Sequence, residues 1–370
     1  MVMDIKPYCL IISFAILIMM RERLIVTKFF SRLIFISFAG LLLLSLQVMY
    51  ASLCNGIWDS SSLFMAIRKY GNYISLLVIG IAGFNVLLYQ GGPDEIFIKR
   101  MILLWLASGI AELFFPSLMQ VFTPGARTSL NRGVTGLSME PSFYGYMCFF
   151  FMIMSTKFQT QRFTYCVLCI FQIVFLARST VGVLYLFVFA AVYTAFAASP
   201  RRKITFAIAS VVVFAIVVAI ANRSDIVKNS RIWLLFMNVI ESPNIIESVQ
   251  GIAETDASVS ARIVSITFSV GDFFRDMGMP NGFMYSGRLM SGYGAMMYEL
   301  GIIGLAAVII ITSRLLKAFG IQAAVAILIV MFSAVQLASP TFIFLVSVAE
   351  YVSFREKNRG RFLDKTLPLQ

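Results

Sequence analysis

The sequence predicts an all-α protein, a polytopic membrane bundle of about eleven transmembrane helices. Three observations carry that expectation. Apolar residues make up 59% of the 370 residues and charged residues only 13%, about half the charged share of a soluble domain. Several separate apolar runs approach the ~20 residues that a helix needs to cross a bilayer. The runs are continuous rather than alternating, which excludes an outer-membrane barrel. The same composition excludes a soluble enzyme, a secreted disulfide scaffold and a disordered chain.

The spans are expected near 7–20, 33–54, 71–89, 101–117, 141–156, 163–178, 180–198, 204–221, 295–312, 319–338 and 341–354. The first looks like a signal-peptide core. No small-residue cleavage site follows it, whereas Arg21-Glu22-Arg23 does, so it is expected to be retained. The sixth and seventh are nearly continuous. As one helix, 163–198 would be about 54 Å long, too long for a core about 30 Å thick, so a hairpin is expected at Arg178-Ser179-Thr180. The eighth and ninth are separated by 222–294, a loop of 73 residues that should hold ordered elements of its own. Within it, 231–240 is apolar but too short to span, which suits an interfacial helix. Residues 258–276 have helical periodicity. Val259, Ile263, Ile266, Val270 and Phe274 fall on one face, and Arg262, Ser265, Ser269, Asp272 and Asp276 on the other. Asp256 or Ser258 suits its N-cap, and Pro280-Asn281-Gly282 reads as a turn. No boundary splits the chain, so 1–370 reads as a single integral membrane domain.

Orientation follows from Lys and Arg. The loops after the odd-numbered spans hold 18 of the 30 basic residues, in short segments. They are expected inside, which puts the N-terminus and the 222–294 loop outside, on the periplasmic side. The formal charge of +12 then speaks for topology and anionic headgroups. A nucleic-acid partner would need a soluble basic domain, so none is expected.

The chain has no histidine, the commonest acid–base residue and metal ligand. Cys166 and Cys169 form a single C-x-x-C pair in mid-span, read as packing. No metal and no cofactor is expected. On the external side nine of twelve basic residues are Arg, whose planar fork grips phosphate and keeps its charge when partly buried. They include Arg127 and Arg132 before the fifth span, Arg178 at the hairpin, and Arg231, Arg262, Arg275 and Arg288 in the large loop. Snorkelling to headgroups is the simpler reading of any one of them. Carboxylates at membrane depth are costly and usually have a role. Glu112 lies in the fourth span and Glu299 in the ninth, while Glu140 opens the fifth immediately before Pro141, where it also suits the helix dipole. Glu350 reads as an ordinary boundary charge. An external site of arginines and carboxylates, without a Walker motif, has no nucleotide-sugar supply. A lipid-linked pyrophosphate sugar fits it.

Several segments in this order resemble the O-antigen polymerase (Wzy-type) family of bacterial inner-membrane glycosyltransferases, of which O-antigen ligases are distant relatives. They are Thr135-Gly136-Leu137 through Glu140-Pro141-Ser142, Arg178-Ser179-Thr180-Val181-Gly182, Asp256-Ala257-Ser258 through Arg262, Pro280-Asn281-Gly282, and Glu299-Leu300-Gly301-Ile302-Ile303-Gly304. The resemblance implies polymerisation of undecaprenyl-pyrophosphate-linked oligosaccharide repeat units at the periplasmic face, with a chain-length regulator as a further partner. In that reading Arg178, Arg262, Arg132 and Arg288 stabilise the leaving pyrophosphate. Glu140 is the first candidate for the base, with Glu299, Glu112 and Asp272 behind it. Arg127, Arg231, Ser142 and Tyr144 are candidate substrate contacts. The ligase is the nearest rival, and the missing histidine counts against it. A flippase for the same lipid is the rival of another class, and it would favour broken helices in paired halves.

Overall fold

A computed structural model describes residues 7–55, 60–123, 133–196, 257–285, 289–333 and 335–358. The span expected at 204–221, the interfacial stretch 231–240, Asp256, Arg127, Arg132, Arg231 and Arg288 lie outside the described residues, as does most of the 222–294 loop. Every regular element among the described residues is helical. In chain order these are α1 (Pro7–Met19), a 3-10 turn at Arg21–Arg23, α2 (Lys28–Asn55), α3 (Ser60–Gln90), α4 (Glu95–Phe114), α5 (Pro116–Phe122), α6 (Pro141–Ser155), α7 (Arg162–Phe171) running into a π-turn (Gln172–Leu176), α8 (Thr180–Phe196), α9 (Ala257–Arg275), α10 (Gly292–Leu300), α11 (Ile302–Phe319), α12 (Ile321–Ser333) and α13 (Pro340–Lys357).

Three stretches, Lys28–Leu53, Ser62–Gln90 and Ile302–Phe319, are long and apolar enough to cross a membrane, and shorter apolar helices accompany them. Large apolar side chains also face outward, such as Phe35 at 71% and Leu53 at 76% exposed. Such a surface suits lipid rather than water. This is a membrane protein.

The described chain forms two compact units. The first joins the N-terminal part through Pro93 to Arg262–Gly320 and the C-terminal part from Leu328, and the second comprises Asp94–Ala261 with Ile321–Ile327. In the first, α3 packs against α1, α2 and α13, and α13 against α11. Small residues let α3 and α13 approach closely. A Cβ at Gly83 would meet Ser347 Oγ at 2.9 Å, and that hydroxyl donates to the Gly80 carbonyl at 3.0 Å. Asn85 of α3 clamps the chain before α2, accepting from Ile25 N at 2.8 Å and donating to Ile25 O at 3.0 Å. Glu350 of α13 is more than a boundary residue. It is buried and ion-paired with Arg314 of α11 at 3.1 Å, and that guanidinium also lies over the Phe29 ring.

Two elements differ from the sequence expectation. The ninth span is broken into α10 and α11 at Gly301, whose φ is +59° and where a Cβ would stand 2.2 Å from the Gly278 carbonyl oxygen. Apolar residues continue across the break, so hydropathy does not register it. The helix expected at 258–276 is present as α9, but its polar stripe is the buried one. Arg262, Ser265 and Ser269 are buried, while Val264 and Phe274 are 61% and 70% exposed. The Ser265 hydroxyl accepts from Met290 N at 2.8 Å, and Phe268 packs on the Tyr298 ring of α10 at 5.2 Å.

Candidate functional site

In the second unit, the N-terminal ends of α6 and α8 lie side by side. They cross at Gly145 and Gly182, where a Cβ on Gly182 would come 3.6 Å from the Gly145 Cα. Each helix starts with a device that the sequence supplies. Glu140 is the extended N-cap residue of α6 and Pro141 its first helical residue. Before α8, the Ser179 hydroxyl accepts from Gly182 N at 3.3 Å. Two residues therefore bracket this corner. Glu140 stands at one helix N-terminus without capping it, half-buried, with the Ser142 hydroxyl donating to it across a long 3.4 Å. Arg178 stands next to the other, half-buried, in the left-handed region at φ +44°. That conformation costs a non-glycine residue free energy.

The loop leading to Glu140 is fastened beneath. Val134 N donates to Leu176 O at 2.8 Å, and a Cβ at Gly133 would overlap the Ala177 carbonyl. Glu112 of α4 accepts from Thr135 N at 2.8 Å, from Gly136 N and from the Thr135 hydroxyl at 3.1 Å. The Ser138 hydroxyl faces the carbonyls of Thr135 and Glu140. Under the corner, Tyr144 is fully buried. Its hydroxyl lies 2.9 Å from Trp105 O and 2.8 Å from Gln172 Oε1. One phenolic proton cannot serve two acceptors, and Gln172 Nε2 is left without a partner. Turning the Gln172 amide over removes the conflict at the phenol, with Nε2 donating to Tyr144 and Tyr144 donating to Trp105 O. The π-turn that begins at Gln172 belongs to this same contact.

In the first unit, Glu299 is buried, with Tyr73 OH donating to it at 2.6 Å and Tyr285 OH at 2.8 Å. Lys69 is also buried. Its ammonium donates to Phe283 O at 3.3 Å and to Tyr285 O, and it sits 3.1 Å from the centre of the Tyr285 ring. Gln47 of α2 completes the hold on this non-helical stretch, donating to Asn281 O at 3.0 Å and accepting from Phe283 N at 2.9 Å. Tyr70 and Tyr73 each pack edge to face against Phe283.

Among the residues expected from sequence, Glu140, Ser142, Tyr144 and Arg178 fall in the second unit, and Arg262, Asp272 and Glu299 in the first. Tyr144, expected as a substrate contact, is buried with its hydroxyl directed at Trp105 O and Gln172 inside the protein. Asp272 is tied to Arg275 at 3.0 Å. Asp276 is held below the usual carboxylate range by a hydrogen bond from Asn281, aided by Arg275. Lys69, Tyr73, Tyr285, Gln47 and Gln172 were not singled out by the sequence reasoning. The third span was read from 71, which left Lys69 in a loop, whereas the helix starts at Ser60. A lysine inside an apolar helix was the available signal. Comparison of the chain with protein-family models, curated proteins and solved structures gave no match.

Proposed function

We propose that the protein is a glycosyltransferase that polymerises undecaprenyl-pyrophosphate-linked repeat units at the periplasmic face of the bacterial inner membrane, in a bundle of about eleven spans. The observation that carries this reading is the α6–α8 corner, where a carboxylate and a guanidinium stand at neighbouring helix N-termini. Of the four candidate bases, Glu299 accepts from two tyrosine hydroxyls, Glu112 from the 135–136 loop, and Asp272 pairs through Oδ1 with Arg275. Glu140, at the start of α6 and half-buried, takes the base role in this reading. The acceptor sugar hydroxyl gives its proton to Glu140 as its oxygen bonds to the anomeric carbon. The bond from that carbon to the pyrophosphate oxygen breaks, and undecaprenyl pyrophosphate leaves as an anion. Arg178 and the helix N-termini stabilise the charge that develops there.

Deletion of the gene in its host, followed by gel analysis of lipopolysaccharide, tests the reading. Collapse of the ladder to core plus one repeat is the expected result. Loss of every O-antigen band refutes it. Arg178→Ala and Arg262→Ala each test the arginine roles, with unchanged ladders counting against them, and a normal ladder in Glu140→Gln removes Glu140 as base. A second reading, a flippase for the same lipid, is favoured by one observation, the break at Gly301 beside a buried non-helical segment. In that case the deletion traps single units on the inner face.

A further inference from the structure

Lys69 is the eighth residue of the span Ser62–Gln90. That puts it about 10 Å from the middle of the helix, inside a hydrocarbon core about 30 Å thick. Gln47 lies at a similar depth, about 10 Å past the middle of Lys28–Leu53. The stretch Asn281–Tyr285 that they hold therefore runs without helical hydrogen bonds at a depth where water cannot satisfy its carbonyls. Non-helical backbone at such depth persists only when the protein supplies partners. An ammonium at such depth is equally in need of them. The two needs meet. The carbonyls of Phe283 and Tyr285 and the face of the Tyr285 ring converge on one Nζ, and this is the donor set that binds ammonium ions. The far end of the same ring donates to Glu299, whose other oxygen is held by Tyr73 from the next turn of α3.

We propose that this cage is a cation-binding site that Lys69 fills as a tethered ligand, and that Lys69 is a positioning residue. Its ammonium folds Phe283–Tyr285 inward and so sets the Tyr285 hydroxyl on Glu299. With the tether cut, the cage takes a free primary alkylammonium ion. The site stands whichever reaction the protein performs.

Lys69→Ala removes Cγ, Cδ, Cε and Nζ, the atoms of n-propylammonium. The test is thermal unfolding of the purified full-length protein in lipid nanodiscs. The variant is expected to unfold several degrees below wild type. Millimolar n-propylammonium should restore it saturably, whereas tetramethylammonium, too large for the cage, and uncharged propanol should not. Wild type, its cage filled, should not respond. A folded variant indifferent to propylammonium, or one stabilised equally by all three compounds, overturns the proposal. Where the alanine variant does not fold, Lys69→Met keeps the bulk without the charge and Lys69→Arg keeps the charge. The methionine variant should be the less stable, and equal stability overturns the proposal. Polymerisation is assayed separately on wild type, so its absence bears on the proposed reaction and not on the cage.

Discussion

Replacing Glu112 by alanine should unfasten the loop that carries Glu140. The carboxylate takes two main-chain donors, Thr135 N at 2.8 Å and Gly136 N, besides the Thr135 hydroxyl. Thr135 is only 1% exposed, so water does not replace the lost acceptor without local opening. A buried donor left unsatisfied costs about 1–3 kcal/mol. Two of them give about 2–5 kcal/mol, since Gly136 is buried as well. At 1.4 kcal/mol per tenfold, the loop should open about 30-fold to a few thousandfold more often. Hydrogen–deuterium exchange of residues 133–140 reads this directly, with the interior of α6 as the internal reference. Glu112→Gln keeps one acceptor oxygen for the main-chain donors and loses the charge, about 1 kcal/mol, so exchange should rise only about fivefold. Unchanged exchange at Thr135 and Gly136 in the alanine variant, or equal effects of the two substitutions, would refute the reasoning.

Three further outcomes are expected. A Cβ at Gly304 would fall 1.8 Å from the Met296 carbonyl oxygen, whereas one at Gly182 meets a side-chain methyl, Ile173 Cγ2, at 2.9 Å and its other neighbours at 3.5 Å or more. Thermal unfolding should therefore show Gly304→Ala losing about 3 kcal/mol or more and Gly182→Ala about 1 kcal/mol. Glu95, the first residue of α4, is held down from 4.5 to about 2 by Lys99, Thr160 and the Gln159 amide. A depressed carboxylate stabilises the fold fully above its ordinary value and loses that contribution as pH falls toward about 2. The melting-temperature gap between wild type and Glu95→Gln should thus be constant above pH 4.5 and close between there and pH 2. Removing Glu350 leaves Arg314, only 24% exposed, without its partner. Glu350→Gln should cost about 3 kcal/mol by denaturation, and the further change Arg314→Met in the same protein should recover part of it.

Elements whose ends are marked by local chemistry were legible. α6 begins where Pro141 follows Glu140, and α8 where Ser179 caps it, so both starts agree with the sequence to within a residue. Arg178 was placed correctly between two helices because 36 apolar residues cannot form one span. The break at Gly301 was not legible, since glycine in an apolar run has no hydropathic signature and the carbonyl that excludes a side chain there comes from Gly278. Nor was the buried side of α9. Periodicity separates Val259, Ile263 and Ile266 from Arg262, Ser265 and Ser269, but it does not say which of the two faces turns inward. The surroundings of Glu299 were least legible. Tyr73 is 226 residues from it in sequence, and nothing near Glu299 points to α3.

The same separation has a consequence in time. Lys69 finds its carbonyls 214 residues later in the chain and Gln47 its partner 234 residues later. Synthesis runs at about 5–20 residues per second, so α2 and α3 wait roughly ten to fifty seconds before those partners exist. Through that interval a lysine and a glutamine face the bilayer interior unanswered, and the half-made protein is recognisable as such by anything that surveys membranes for exposed polar groups. Closure of the cage waits until the chain has been extended past Tyr285, and the first unit is completed later still, by the chain from Leu328 onward.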